Sequence, residues 1–175
     1  MARAEICYRA IGLLMQPIPG WNQTSVRCDE NYATVQIRRS FGTLGDFYTV
    51  ATELMPGAFV QELSDDLVSV RVALPKLDTV ASQDERDADT IMRDVMTLFQ
   101  GMGTNADIHA VTDTITNGVD TAYFDIVEIA ASSKMVPMQF MKMFENFGGV
   151  YLTACDWNSS SRTWNYEVII YAKQN

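Results

Sequence analysis

Along this chain the apolar positions switch repeatedly between a helical period of about 3.6 and a strand period of 2, and the switches come in a fixed order. The clearest stretch is 107–129, where DIHAVTDTIT and VDTAYFDIVEI flank Asn117-Gly118. Asn-Gly between two β-rich runs predicts a tight hairpin, because both residues tolerate the positive φ that a type I′ turn requires. With that turn Thr116 faces Val119. One face then carries His109, Val111 and Ile115 beside Ala122, Phe124 and Ile126, and it is expected to lie on a core. The other carries Thr112, Thr114 and Thr116 beside Thr121 and Tyr123, and it is expected to be half wet.

Looser versions of this hairpin recur. The runs 24–28 and 33–39 alternate around Asp29-Glu30-Asn31, and the runs 58–63 and 67–74 are joined at Ser64-Asp65-Asp66. The last pair, 150–157 with 162–172, is joined at 158–161. Helical stripes precede each hairpin. Residues 4–16 have near-helical spacing, although Gly12 and β-tolerant residues leave a strand open, and stop at Pro17. Thr43 with Asp46 opens a stripe through Phe47, Ala51 and Leu54 that ends at Pro56-Gly57. Ser82 with Glu85 reads as a capping box before Ile91, Val95, Leu98 and Phe99, with Asp84 and Asp87 near the positive helix end. Ser132 or Ser133 can cap a fourth helix that runs to Phe147 and closes at Gly148-Gly149.

The order is helix, strand, strand, four times over, with helices beginning near 4, 43, 83 and 134. The predicted class is therefore α+β: antiparallel sheets with helices on one face. Two αββ units make a four-stranded sheet with two helices on it, the ferredoxin-like arrangement with its start point shifted. Four units make either two such halves or one continuous eight-stranded sheet. Equal content and the polar, proline-bearing stretch 75–82 favour two packed domains, 1–77 and 78–175.

Composition narrows the function classes. At 175 residues and 47% apolar content the chain can bury a substantial core. Its 22 acidic against 13 basic residues give a net charge of −9, which argues against nucleic-acid backbones and acidic membranes as partners. No run approaches the roughly 20 apolar residues of a membrane span. Cys7, Cys28 and Cys155 are widely spaced without a C-x-x-C, which reads as buried thiols of a reducing compartment. With no signal-peptide pattern in view, the cytoplasm is the expected location.

Chemistry-bearing residues are sparse. His109 is the single histidine, and its hairpin position reads as a core or edge residue. The run from Gly101 to Ala106 matches a relaxed dinucleotide fingerprint, but it follows a helix and precedes a strand, the inverse of the required context. Asp113 and Asp120 fall on one face of the hairpin, diagonal to each other, and are the weak candidates for a metal or shared proton. No catalytic residue and no cofactor is expected. The fourth helix carries more apolar surface than one sheet face needs, an arc of about two-thirds of the circumference. Met135, Met138, Phe140, Met141, Phe144 and Phe147 are therefore the candidate interface, toward a second domain, a second copy or a protein partner.

The C-terminal passage, with Val150, Tyr151, Leu152 and Thr153, then Trp157, then the alternating run 166–172, resembles the final helix and hairpin of small αββαββ domains. These domains occur in inner-membrane assembly-platform proteins of type IV pili and type II secretion. The likeness spans about 40 residues. That family also carries an N-terminal membrane helix and a coiled segment, which this sequence does not show. The resemblance implies a non-catalytic scaffold that dimerises and contacts sister subunits. Two other classes compete with it: a ligand or metal binder or enzyme using carboxylates or a pocket between sheets, and an acidic mimic of nucleic acid.

Overall fold

The computed structural model describes residues 18–29, 31–73, 83–117 and 119–174. The stripe at 4–16, the stretch 75–82 and the division at 77/78 lie outside them. Within the described residues, alternating apolar runs form β1 (Trp21–Cys28), β2 (Tyr32–Arg39), β3 (Phe59–Ser64), β4 (Leu67–Ala73), β5 (Asn105–Asn117), β6 (Asp120–Ser133), β7 (Val150–Asn158) and β8 (Thr163–Ala172). The helices are α1 (Leu44–Leu54), α2 (Ala88–Gln100) and α3 (Pro137–Lys142).

All eight strands belong to one antiparallel sheet of order β3-β4-β2-β1-β7-β8-β6-β5. The class is α+β and sheet-dominated. Of the two arrangements open to the sequence, the strands adopt the continuous sheet. The strands before and after α2 meet where Ser25, Val26 and Arg27 of β1 pair with Asp156, Cys155 and Ala154 of β7. One face is lined by Val35, Ile37, Val68, Val70, Val168 and Ile170, each buried, because strand side chains alternate between faces. The helices cover this face. Phe47 of α1 meets Trp21 with ring centroids 4.6 Å apart, and Phe140 of α3 stacks on Tyr166 at 3.7 Å. Ile91, Val95 and Phe99 of α2 join the same continuous core.

Local chemistry sets the helix ends. Thr43 caps α1: its Oγ1 accepts from the Asp46 N–H at 3.1 Å while Asp46 Oδ2 accepts from the Thr43 N–H at 3.2 Å. The expected start near 83 is corrected for α2, which begins at Ala88 with Asp87 as its cap, accepting from the Thr90 N–H at 2.8 Å. The preceding residues are drawn to the end of β8 instead: the Asp84 N–H donates to Tyr171 O and the Lys173 N–H to Arg86 O. The expected helix to Phe147 is also corrected. Only six residues, Pro137–Lys142, are α-helical, and the chain continues in turns.

The central hairpin forms with a different register. Asn117 is opposite Asp120 and Thr116 opposite Thr121, not Val119. The shift is two residues, so the described side chains, among them Val111, Phe124 and Ile126, stay on the face the sequence assigned. What changes is which face is covered. The helices lie over Val127, Ile129 and Ala131, on the side of the threonine-bearing positions, while Phe124 and Ile126 are buried on the other side of the same strand. There Phe124 meets Tyr171 edge-on at 5.8 Å, and Tyr171 meets Tyr151 at 5.1 Å.

Candidate functional site

The predicted interface residues divide in two. Phe140, Met141 and Phe144 are buried, with Phe99 of α2 6.0 Å from both Phe140 and Phe144. Met135, Met138 and Phe147 are partly buried and packed against this core. Much of the wide apolar arc is thus covered inside the chain, by the sheet beneath it and by α2 beside it.

At the start of α3 apolar surface remains open. A groove of about 580 Å³ is lined by Val136, Pro137 and Met138 at the start of α3, Trp157 and Trp164 of the last hairpin, and Asn22, Gln23 and Thr24 of β1. It lies where β1 meets β7, so neither set of strands forms it alone. Val136 is 47% exposed and Trp157 41%. No charged residue lines it, although the chain is acidic overall.

Each wall has a local cause. Asn158 Oδ1 accepts from the N–H groups of Ser160 and Ser161 at 3.0 and 3.2 Å, an Asx turn that ends β7. The register that follows sets Trp157 opposite Trp164, ring centroids 5.5 Å apart. The α3 wall is anchored by two hydroxyls: Tyr166 donates to Met135 O, and Ser133 Oγ accepts from the Met135 N–H. Pro137 at the first helical turn costs no hydrogen bond. On β1 a register shift between Gln23 and Ser25 breaks the alternation at Thr24, whose hydroxyl donates to Gln36 O. Asn22 Nδ2 donates to Ser40 Oγ at 2.7 Å.

The carboxylate candidates lie elsewhere. Asp113 is opposite Phe124 and Asp120 opposite Asn117, so about 13 Å of strand separates them, where the sequence register made them diagonal neighbours. Asp113 Oδ1 accepts from the Thr114 N–H at 2.8 Å. His109 is an exposed edge residue within 2.7 Å of Glu128. Among the described residues no three His, Cys, Asp or Glu side chains are grouped to hold a metal ion. Asp84, which the sequence placed in the charged first turn of a capped helix, lies before α2 and is buried beside Arg86. Across the seam, on the sheet face away from the helices, Arg27 and Asp156 form a two-pronged ion pair at 2.8 Å. Arg27 holds the Asp156 carboxyl below the usual carboxylate range.

The sequence singled out Met138 but not Val136, the tryptophan pair or the β1 residues. The one signal available was symmetry, since Trp157 and Trp164 flank the last turn. No helix among the described residues is long and apolar enough to cross a membrane. No protein-family model, curated protein or solved structure matches the chain.

Proposed function

We propose that this protein is a non-catalytic interaction module that seats an uncharged, apolar segment of a partner protein in the tryptophan groove. The carrying observation is the groove itself: half-exposed Trp157 and Val136 beside Met138, facing amide and hydroxyl side chains, with no charge in the lining. Aromatic and methionine anchors ringed by neutral polar groups are the composition of interface centres, and the volume suits one or two side chains of an extended peptide. We read the body that carries it as two permuted ferredoxin-like halves. The support is strand order, β1-β2-β4-β3 in one half and β5-β6-β8-β7 in the other. An assembly role, as in the pilus and secretion platforms the C-terminal passage resembles, fits a groove formed only where the halves join.

The test is tryptophan fluorescence against a panel of short uncharged peptides carrying a single Leu, Phe or Trp, compared with acidic and basic peptides of equal length. Saturable quenching by the apolar set, lost in Met138→Lys with the fold intact, is expected. Quenching unaffected by Met138→Lys removes the groove. A rise of several degrees in melting temperature with divalent cations, abolished by Asp113→Ala, replaces the interaction reading with a carboxylate site.

A further inference from the structure

A second surface is independent of the groove. β5 is the last strand of the sheet, and among the described residues nothing pairs with its outer edge over Asn105–Asn117. β8 ends opposite Asp125, so beyond that level β5 and the start of β6 form a ribbon of two strands only. Such a ribbon is marginal in water, and a long unpaired edge is a template for another strand.

The hydrogen-bonding direction of β5 follows from its neighbours. The N–H and C=O of Tyr171 are engaged on the β7 side, by Gly149 O and the Asp84 N–H. Ile126, opposite Tyr171, therefore turns its own N–H and C=O toward β5, and Val111, opposite Ile126, turns its pair toward β6. By alternation His109 and Asp113 also bond inward, while Ile108, Ala110, Thr112 and Thr114 aim their amides outward. The Thr114 N–H agrees, since it donates to the Asp113 carboxylate and not to β6.

We propose that this edge pairs antiparallel with the same edge of a second copy, centred on Val111. In that register Ala110 and Thr112 exchange main-chain hydrogen bonds with Thr112 and Ala110 of the second copy. Val111, 37% exposed, meets its own counterpart across the two-fold. His109 falls opposite the second copy's Asp113, twice, in the closer non-hydrogen-bonded positions where an imidazole N–H and a carboxylate come within reach of each other. The neighbouring registers lack this match. Centring on Ala110 opposes Asp107 and Asp113, centring on Asp113 opposes it to itself, and centring on His109 opposes the two imidazoles. The imidazole–carboxylate match thus singles out one register among those the outward amides permit, and carboxylate repulsion counts against two of the others. Glu128, 2.7 Å from His109, stays beside the imidazole and places a second carboxylate at each His109–Asp113 contact.

Sedimentation velocity of the full chain from low to high micromolar tests this, and a reversible dimer is expected. Ala110→Pro removes only an outward N–H, which an edge strand tolerates, and should weaken the dimer about 100-fold through two lost hydrogen bonds. Asp113→Lys, a surface change that preserves the fold if the proline does not, should weaken it roughly tenfold. Val111→Cys should form a reducible covalent dimer under mild oxidation. Thr112→Cys and the wild-type chain should not, because the Thr112 positions lie too far apart to bridge. A wild-type monomer throughout overturns the proposal, as does a dimer that both substitutions leave unchanged or that Val111→Cys fails to cross-link. Each of those results leaves the peptide titration of the groove standing, and a failed titration leaves the dimer standing.

Discussion

The residue that most changes the reading of the sequence is Asp84, which is 4% exposed. Its two oxygens accept from the Arg86 guanidinium at 2.8 Å and from the N–H groups of Arg86 and Gly148. Arg86 in turn reaches Asp94 Oδ2 at 2.9 Å and Asn146 O at 3.0 Å, and lies over the Phe147 ring. One node thus ties the strand-like segment before α2 to α2 and to the turn before β7. Gly148 is required there, since a Cβ would come within 2.8 Å of Gln83 O. Burial alone raises the Asp84 carboxyl, but the Arg86 fork and the two N–H groups outweigh it and hold the group below its ordinary value. A depressed folded-state value means that the stabilisation is complete above the unfolded carboxyl range and is lost as pH falls through the folded value. Asp84→Ala should cost about 3 kcal/mol at neutral pH, because it leaves Arg86 without its main partner. Urea melts near neutrality and at about pH 3 check this: the gap between wild type and variant should narrow in acid.

Among the elements, α3 differs most from its sequence pattern. A two-thirds apolar arc reads as an exposed interface when a helix is imagined against one flat sheet. In the fold, α3 sits over Tyr166 with Phe99 of α2 beside it, so two sides of the arc are used and the helix need be only six residues long. Removing Phe140, which is wholly buried and stacked, should cost about 4 kcal/mol. Met141→Lys should be as damaging, because it buries an unpaired charge, whereas Met138→Lys, half-buried at the groove, should cost less than about 1 kcal/mol. Denaturant midpoints for the three variants give the ranking, and an equal cost at 138 and 141 would contradict this placement of the helix.

At the scale of the molecule, the junction of β1 with β7 makes two similar sets of strands into one sheet. It rests on few paired residues, with Val26 and Cys155 fully buried on the core side and the Arg27–Asp156 ion pair half-exposed on the other. Exposed ion pairs contribute little, so the buried side should dominate. Cys155 reports on it directly: burial pushes its thiol up to about 12, and it is 0% exposed. With Cys7 and Cys28 replaced by Ser, Cys155 should react with a thiol reagent at least about 1,000-fold more slowly than a free cysteine, at a rate that follows global unfolding. Fast labelling of a chain that remains folded by circular dichroism would show that the junction opens on its own.

What the sequence determined by itself is what a short stretch can enforce. Period-2 alternation placed the four hairpins, and Thr43 with Asp46 opened α1 as expected, because a capping box acts over three residues. The central hairpin shows why such readings survive error: its register moved by two, yet the described side chains kept their faces, since the side-chain period is also two. Tertiary structure decided everything that depends on which elements meet. The Ser82–Glu85 capping pattern lost to Asp87 because the residues between them bond more favourably to the end of β8 and to Arg86. The groove draws on β1, on α3 and on the last hairpin, separated by more than a hundred residues, and no periodicity along the chain records that β1 will lie beside β7. Neighbouring strands in the sheet are chosen by the shared burial of their core-facing side chains, a property of the assembled core and not of any segment within it.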